Sequence, residues 1–185
     1  MSSYPRCGNT LLRSYLEKIT GLITGSDTDI SHDLNLALMT AGLQGEGLVD
    51  KRVWVIKTHY PERYGGTKFG AERSILLTRN PLDAIVSVFN LFSTGSHDLS
   101  ISEDAYLRFS NCWADYAEQE MLVWNNFYKF WLESKIPVHI VRYEDLMTKA
   151  EPTLTDLMKF ILNVDNLENT RIEQLIKMAT AQSAP

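Results

Sequence analysis

The sequence has few cysteines, no long apolar run and no excess of positive charge. Cys7 and Cys112 are its two cysteines, and they lie far apart without a C-x-x-C spacing, so neither a disulfide framework nor a zinc site is indicated. No run approaches the ~18 consecutive apolar residues of a membrane-spanning helix. The formal net charge of −5 argues against a general nucleic-acid surface, so any phosphate site must be local.

The composition that remains is typical of one globular domain. The chain has 185 residues, of which 44% are hydrophobic and 22% charged, and we expect a single domain over residues 1–185. Three short apolar runs predict strands at 52–57, 74–78 and 138–143. Helical patterns occur between and after them, at residues 9–19, 81–92, 102–133, 153–162 and 168–180. Strands separated by helices predict an α/β fold with three layers, in which helices cover both faces of a parallel sheet. The pattern at 102–133 fits either one long helix or a broken pair.

Polar residues follow each predicted strand, at the end of the sheet where parallel α/β proteins bind ligands. These groups are Lys57–Thr58–His59, Arg79–Asn80–Pro81 and Tyr143–Glu144–Asp145. Each residue alone has an ordinary explanation, such as a helix cap. Together with the N-terminal loop, however, the set indicates a site.

The opening stretch SSYPRCGNTLLRSYLE is predicted to be a loop that leads into a helix. Gly8 permits close backbone approach and a helix start offers free amides, which favours an anion site. A cysteine phosphatase is an alternative, because Cys7 and Arg13 have the C-x5-R spacing; Leu11 and Leu12 within that span oppose it, as does the lack of a local activating group. A tight turn without a ligand is the third interpretation.

Four segments in order resemble the motifs of sulfotransferases that use 3′-phosphoadenosine 5′-phosphosulfate (PAPS). They are YPRCGNTLLR, VIKTHYP, LLTRNPLDAIVS and VRYEDLM, within a resemblance that runs from about residue 2 to 165. The passages TGLITGS and EPTLTDLMKF are also similar to the sulfotransferase domain of WSC-domain proteins. The resemblance implies the fold of P-loop nucleoside-triphosphate hydrolases as sulfotransferases adopt it.

The resemblance also implies roles for individual residues. His59 matches the general base, and Arg6 and Lys57 would face the charge that develops on the leaving phosphate; Arg6 stands where the family usually has lysine. The positions that match the nucleotide-binding motifs are Arg6, Cys7, Gly8, Asn9, Thr10, Arg79, Ser87 and Tyr143.

Within those positions, the first five correspond to the 5′-phosphate loop, in which Cys7 replaces the usual serine. Arg79 and Ser87 correspond to the 3′-phosphate site and Tyr143 to the adenine contact. The other histidines, His32, His97 and His139, have no comparable context. Two Gly/Ser-rich loops, 64–70 and 93–100, are either an acceptor lid or ordinary connections.

The implied reaction transfers a sulfuryl group from PAPS to a hydroxyl of a small molecule or glycan, without a metal, a nucleic acid or a membrane segment in this chain. The main alternative is a non-catalytic nucleotide-binding or scaffold module. A homodimer, and a location in the cytoplasm or the Golgi lumen, are open. Two family elements are expected to be missing: a strand ahead of the loop, since Met1–Ser3 alone precede Tyr4, and a late R-K-G segment.

Overall fold

A computed structural model gives the structure of the chain and describes residues 1–28, 36–40, 42–62 and 66–181. The strands are β1 (Gly25–Ser26), β2 (Ile56–Lys57), β3 (Ser74–Thr78) and β4 (Val138–Arg142). The helices are α1 (Asn9–Thr20), α2 (Leu36–Thr40), α3 (Pro81–Thr94), α4 (Glu103–Arg108), α5 (Ser110–Leu132), α6 (Tyr143–Thr148), α7 (Ala150–Leu162) and α8 (Arg171–Ala181). His32 and residues 64–65 of the predicted 64–70 loop lie outside the described residues.

The strands are parallel, and the first three residues join them into one layer. β1 pairs with β2, and β3 pairs with β4, both in parallel register. Ser2 forms parallel bridges to Thr58 on one side and to Leu76 on the other. The backbone amide of Ser2 donates to Ile75 O at 2.8 Å, and that of Thr58 donates to Met1 O at 2.9 Å. Residues 1–3 therefore occupy the position in which the sequence alone predicts a missing strand.

The predicted α/β fold with parallel strands and helices is confirmed, although one strand is shorter than expected. Over the predicted strand 52–57, pairing begins at Ile56, because Val53 closes a turn onto Asp50 O and Trp54 is exposed. The four residues Ser74–Leu77 of β3 are all buried, so both faces of the sheet are covered at its centre. The helical pattern at 102–133 forms a broken pair that is interrupted at Phe109.

Local sequence signals fix the ends of the helices that surround the predicted site. At α3, the Asn80 side chain accepts a hydrogen bond from the Leu82 amide at 3.0 Å, and Pro81 occupies the first helical turn. α1 follows Gly8 and ends at Gly21, both in the left-handed region. Among the described residues, no helix combines the length and apolar character needed to cross a membrane.

α5 contributes aromatic side chains to the core and is hydrogen-bonded to β3. Phe127 and Tyr128 are buried in the core, and Trp113, Trp124 and Trp131 pack against it, so these aromatic side chains of α5 belong to the core. The hydroxyl of Tyr128 donates to Leu77 O at 2.9 Å and thereby ties α5 to β3.

A buried ion pair connects α1 to the segment that precedes β2. The guanidinium of Arg13 contacts the carboxylate of Glu46, and both side chains are almost completely buried. Arg13 also donates to Thr24 Oγ1 at 2.8 Å and to Thr24 O at 3.1 Å, while Glu46 accepts from Ser26 Oγ at 2.8 Å. Burial alone would raise the pKa of Glu46, but the hydrogen bonds from Arg13 and Ser26 outweigh it and lower that pKa.

Arg13→Leu is expected to lower the free energy of unfolding by about 3 kcal/mol, because it leaves a buried carboxylate without its cation. Urea denaturation at neutral pH measures this loss. Since the folded pKa of Glu46 is depressed, the contribution of the pair is present above the unfolded pKa and fades as the pH falls, so the two proteins converge in acid. Arg52→Leu is the matched control, because the Arg52–Asp50 pair is exposed and should matter little. Equal losses in the two variants would contradict the assignment.

Candidate functional site

The opening loop turns sharply at two residues before α1 begins. Arg6 has a φ of 64° and Gly8 a φ of 95°, both in the left-handed region. Arg79, which follows β3, donates from Nη1 to Arg6 O at 3.0 Å and holds this turn. The loop thus delivers Gly8, Asn9 and Thr10 to the N-terminus of α1, where backbone amides lack helical partners.

Gly8 is required by a close approach to Tyr143, at the end of β4. A Cβ atom on Gly8 would lie 2.5 Å from Cδ2 of Tyr143, which is closer than atoms can pack. The guanidinium carbon of Arg79 lies 4.7 Å from the centroid of the same ring, a distance typical of a cation–π contact. Three predicted site residues from three separate segments are therefore brought together.

A surface cavity of about 280 Å³ lies beside this cluster. Its lining includes Arg6, Arg79 and Ser87 from the predicted set, Asp83 and Asn90 from α3, and residues 96–100. Ser87 lies two turns into α3, on the side of that helix that faces the loop. The cavity carries two guanidinium groups and three serine hydroxyls, donors that suit a phosphate group, although the carboxylates of Asp83 and Asp98 also line it.

The side chain of Arg6 extends into this cavity. Nε donates to Ser87 Oγ at 2.9 Å, Nη2 donates to His97 O at 2.9 Å, and Nη1 lies 2.6 Å from Nδ1 of His97. The resemblance assigns Arg6 to the leaving phosphate beside Lys57. The structure instead pairs Arg6 with Ser87, a residue predicted to contact the 3′-phosphate, because the guanidinium is long enough to span the loop and α3.

His59 and Lys57 belong to a second cluster of predicted residues at the end of β2, where Lys57 is the last strand residue and His59 follows two residues later. Nδ1 of His59 lies 2.7 Å from Ser3 O, and Asn9 Nδ2 donates to Ser3 Oγ at 2.7 Å. A carbonyl oxygen accepts only, so Nδ1 must carry the proton, and in the neutral ring Nε2 carries the lone pair. Burial lowers the pKa of Lys57, and the carboxylates of Glu46 and Asp27 oppose part of that change. Ser3 therefore connects this cluster to the opening loop.

Cys7 faces the core and not the cavity. Its side chain is fully buried, and Sγ lies 3.5 Å from the hydroxyl of Tyr128. Burial raises the pKa of the Cys7 thiol to about 11, despite opposing effects of Tyr128 and Arg79. Arg13, the other half of the C-x5-R spacing, forms a buried ion pair with Glu46. The phosphatase interpretation is wrong on both counts, and Cys7 offers the loop its backbone alone.

Two features of the site escaped prediction from the sequence. His97 contacts Arg6 twice, yet it lies in a Gly/Ser-rich segment with no motif around it. Ser3 accepts from both His59 and Asn9, whereas the sequence indicates only a loop at this position. Of the predicted 64–70 loop, the Thr67 amide donates to Asp27 O at 2.9 Å, which places that segment against the end of β1. Among residues 1–28, 36–40, 42–62 and 66–181, no group of three or more His, Cys, Asp or Glu side chains could hold a metal ion.

A parallel α/β sheet with a glycine-containing loop ahead of its first helix defines a P-loop-like fold. The chain belongs to the sulfotransferase domain family, whose model matches residues 1–183. The predicted resemblance is confirmed by this match.

The relatives extend the match to the narrower group. A WSCD family member of Aedes aegypti is 32% identical over 161 residues, covering 86% of this chain and 48% of that protein. A WSCD family member of Drosophila melanogaster is 30% identical over 164 residues, which cover 87% of this chain and 49% of that protein. The chain thus spans about half the length of these curated relatives.

Among solved structures, mouse sulfotransferase SULT7A1 complexed with PAP has a TM-score of 0.51 and 17% sequence identity. The alignment covers 100% of this chain and 65% of that one. At this identity the comparison shows the fold.

Gly8→Ala is expected to destabilise the chain more than Gly21→Ala does. Both residues have positive φ, so each alanine should cost about 1–2 kcal/mol in backbone strain. At Gly21 no atom lies within 4 Å of the new Cβ, whereas at Gly8 Tyr143 must move. Thermal unfolding of both variants separates the two effects. If they lose the same stability, the close packing of Gly8 on Tyr143 is not present in solution.

Proposed function

We propose that this domain transfers a sulfuryl group from PAPS to an acceptor hydroxyl, on a small molecule or a glycan. The observation that carries the proposal is the cavity between Arg6, Arg79 and Ser87, set beside a loop that opens a helix. Family membership supports sulfotransfer in general, and the mouse relative of similar fold is complexed with PAP. The donor, the acceptor and the residue roles are the finer content of the proposal.

The residues present fit an adenosine nucleotide with a 3′-phosphate. Arg79 and Ser87 would bind that phosphate, and Tyr143, whose ring already lies against Arg79, would contact adenine. The amides from Gly8 to Thr10, at the start of α1, would hold the 5′-phosphate. PAPS, when bound, supplies the sulfuryl group and a phosphate leaving group.

His59 is the proposed general base. The contact with Ser3 O fixes a proton on Nδ1 and leaves the lone pair on Nε2. Nε2 would take the proton of the acceptor hydroxyl as the new oxygen–sulfur bond forms and the sulfur–oxygen bond to phosphate breaks.

Lys57 is proposed to stabilise the negative charge that develops on the leaving phosphate. Among the described residues, Nζ makes no hydrogen bond or ion pair, although Glu46 and Asp27 are close enough to influence its pKa. An ammonium that is partly desolvated and lacks a close partner gains more from a nearby anion than a solvated one does.

A non-catalytic nucleotide-binding module is the second candidate. Binding without turnover would distinguish it from the enzyme.

Adenosine 3′,5′-bisphosphate is expected to bind at least tenfold more tightly than 5′-AMP or ATP, because Arg79 and Ser87 meet a phosphate that the other two lack. Isothermal titration of the chain with each nucleotide measures the difference. Arg79→Met should remove the preference, while Arg73→Met, on the other end of β3, should leave it intact. Equal binding of all three nucleotides by the wild type would overturn the proposed donor.

His59→Asn is expected to reduce sulfuryl transfer by about 10²–10⁴-fold, because asparagine can still donate to Ser3 O but cannot act as a base. Transfer from labelled PAPS to a panel of phenols, alcohols and sugars provides the measurement. Affinity for adenosine 3′,5′-bisphosphate should be unchanged, and His139→Asn, on β4, serves as the matched control. Full turnover in His59→Asn would exclude this base.

A further inference from the structure

The Arg6 guanidinium is held in the cavity by a histidine outside every recognised motif. Nη1 of Arg6 lies 2.6 Å from Nδ1 of His97, and Nη2 donates to the His97 carbonyl at 2.9 Å. Arginine nitrogens donate only, so Nδ1 of His97 must accept and the ring must be neutral in this arrangement. The third contact, from Nε to Ser87 Oγ, completes the set.

We propose that His97 is a positioning residue, which orients Arg6 so that its guanidinium adds to selection of the 3′-phosphate. This inference rests on the proposed function. Its basis is geometric. Arg6 is hydrogen-bonded to Ser87, and both residues line the same cavity as Arg79, so a phosphate bound at Ser87 would also contact Arg6. In this role Arg6 acts on nucleotide choice and not on the leaving group.

The left-handed backbone at Arg6 indicates that specific contacts hold this residue in place. A φ of 64° is uncommon for a residue other than glycine and has an energetic cost. The Arg79 hydrogen bond to Arg6 O and the His97 contacts to its side chain hold both ends of this residue. A lysine in place of Arg6 would keep the charge but could not contact Ser87 and both His97 atoms with one planar group.

Protonation of His97 would remove this support. An imidazolium cannot accept from Arg6, and it would place two cations 2.6 Å apart. The other charged groups that line the cavity are Arg79, which follows β3, Asp83 from α3 and Asp98 from the same segment as His97. Acidification should therefore weaken the preference for a 3′-phosphate.

The test is the ratio of affinities for adenosine 3′,5′-bisphosphate and 5′-AMP, measured by titration calorimetry between pH 5.5 and 8. At pH 8, His97→Ala should lower the ratio about three- to tenfold, the range for one lost hydrogen bond. His97→Asn can place an amide oxygen close to the position of Nδ1. This variant should therefore keep the wild-type ratio and remove its dependence on protonation of the imidazole. Arg6→Lys should lower the ratio, and His139→Asn should leave it unchanged.

The comparison with His97→Asn also removes a complication, because the phosphate itself titrates near pH 6. On acidification, the wild-type ratio should fall relative to that of His97→Asn. A relative rise would show that the imidazolium binds phosphate directly, and would overturn the positioning role. An unchanged ratio in both His97→Ala and Arg6→Lys would also overturn it, while leaving the proposed function intact. If the wild type binds neither nucleotide, the proposed function itself fails.

Discussion

Hydrogen bonds from the first three residues to strands on both sides are the constraint on which the site depends. Ser2 lies between β2 and β3 and pairs with each. Because Ser3 continues from that position, its carbonyl can face His59 and its hydroxyl can face Asn9. The sheet therefore sets the ring orientation of a proposed base and the start of α1 through one residue. Loss of this pairing would disturb both clusters together.

The two clusters are proposed to act through different physical effects. Around Arg6, Arg79 and Ser87, fixed donors surround a cavity, and selectivity depends on where those donors point. Around Lys57, the important quantity is desolvation, which lowers the pKa of the ammonium without any new contact. Arg6, which stands where the family usually has lysine, contacts Ser87 in the first cluster, and selection of the 3′-phosphate is its proposed role.

Local signals allowed much of the fold to be predicted, and long-range contacts account for what was missed. β3 and the start of α3 have a buried apolar run and an Asn-Pro cap, and both lie where the sequence placed them. The ends of β2 depend on a turn at Val53 that periodicity does not reveal. His97 is exposed and has no motif, so its contact with Arg6, 91 residues away, required the folded structure. The spacing of Cys7 and Arg13 misled for the same reason, because their partners lie on α5 and before β2.

The burial of Cys7 has a practical consequence for work on the folded chain. Cys112, the other cysteine, is exposed on α5, while Cys7 is enclosed and its pKa is raised to about 11. A thiol reagent at neutral pH therefore meets one reactive sulfur, since the thiolate is the reacting form. A dye or spin label can therefore be attached to α5 without altering the opening loop. The slow rate at which the Cys7 thiol is modified would then report how often that loop separates from the core.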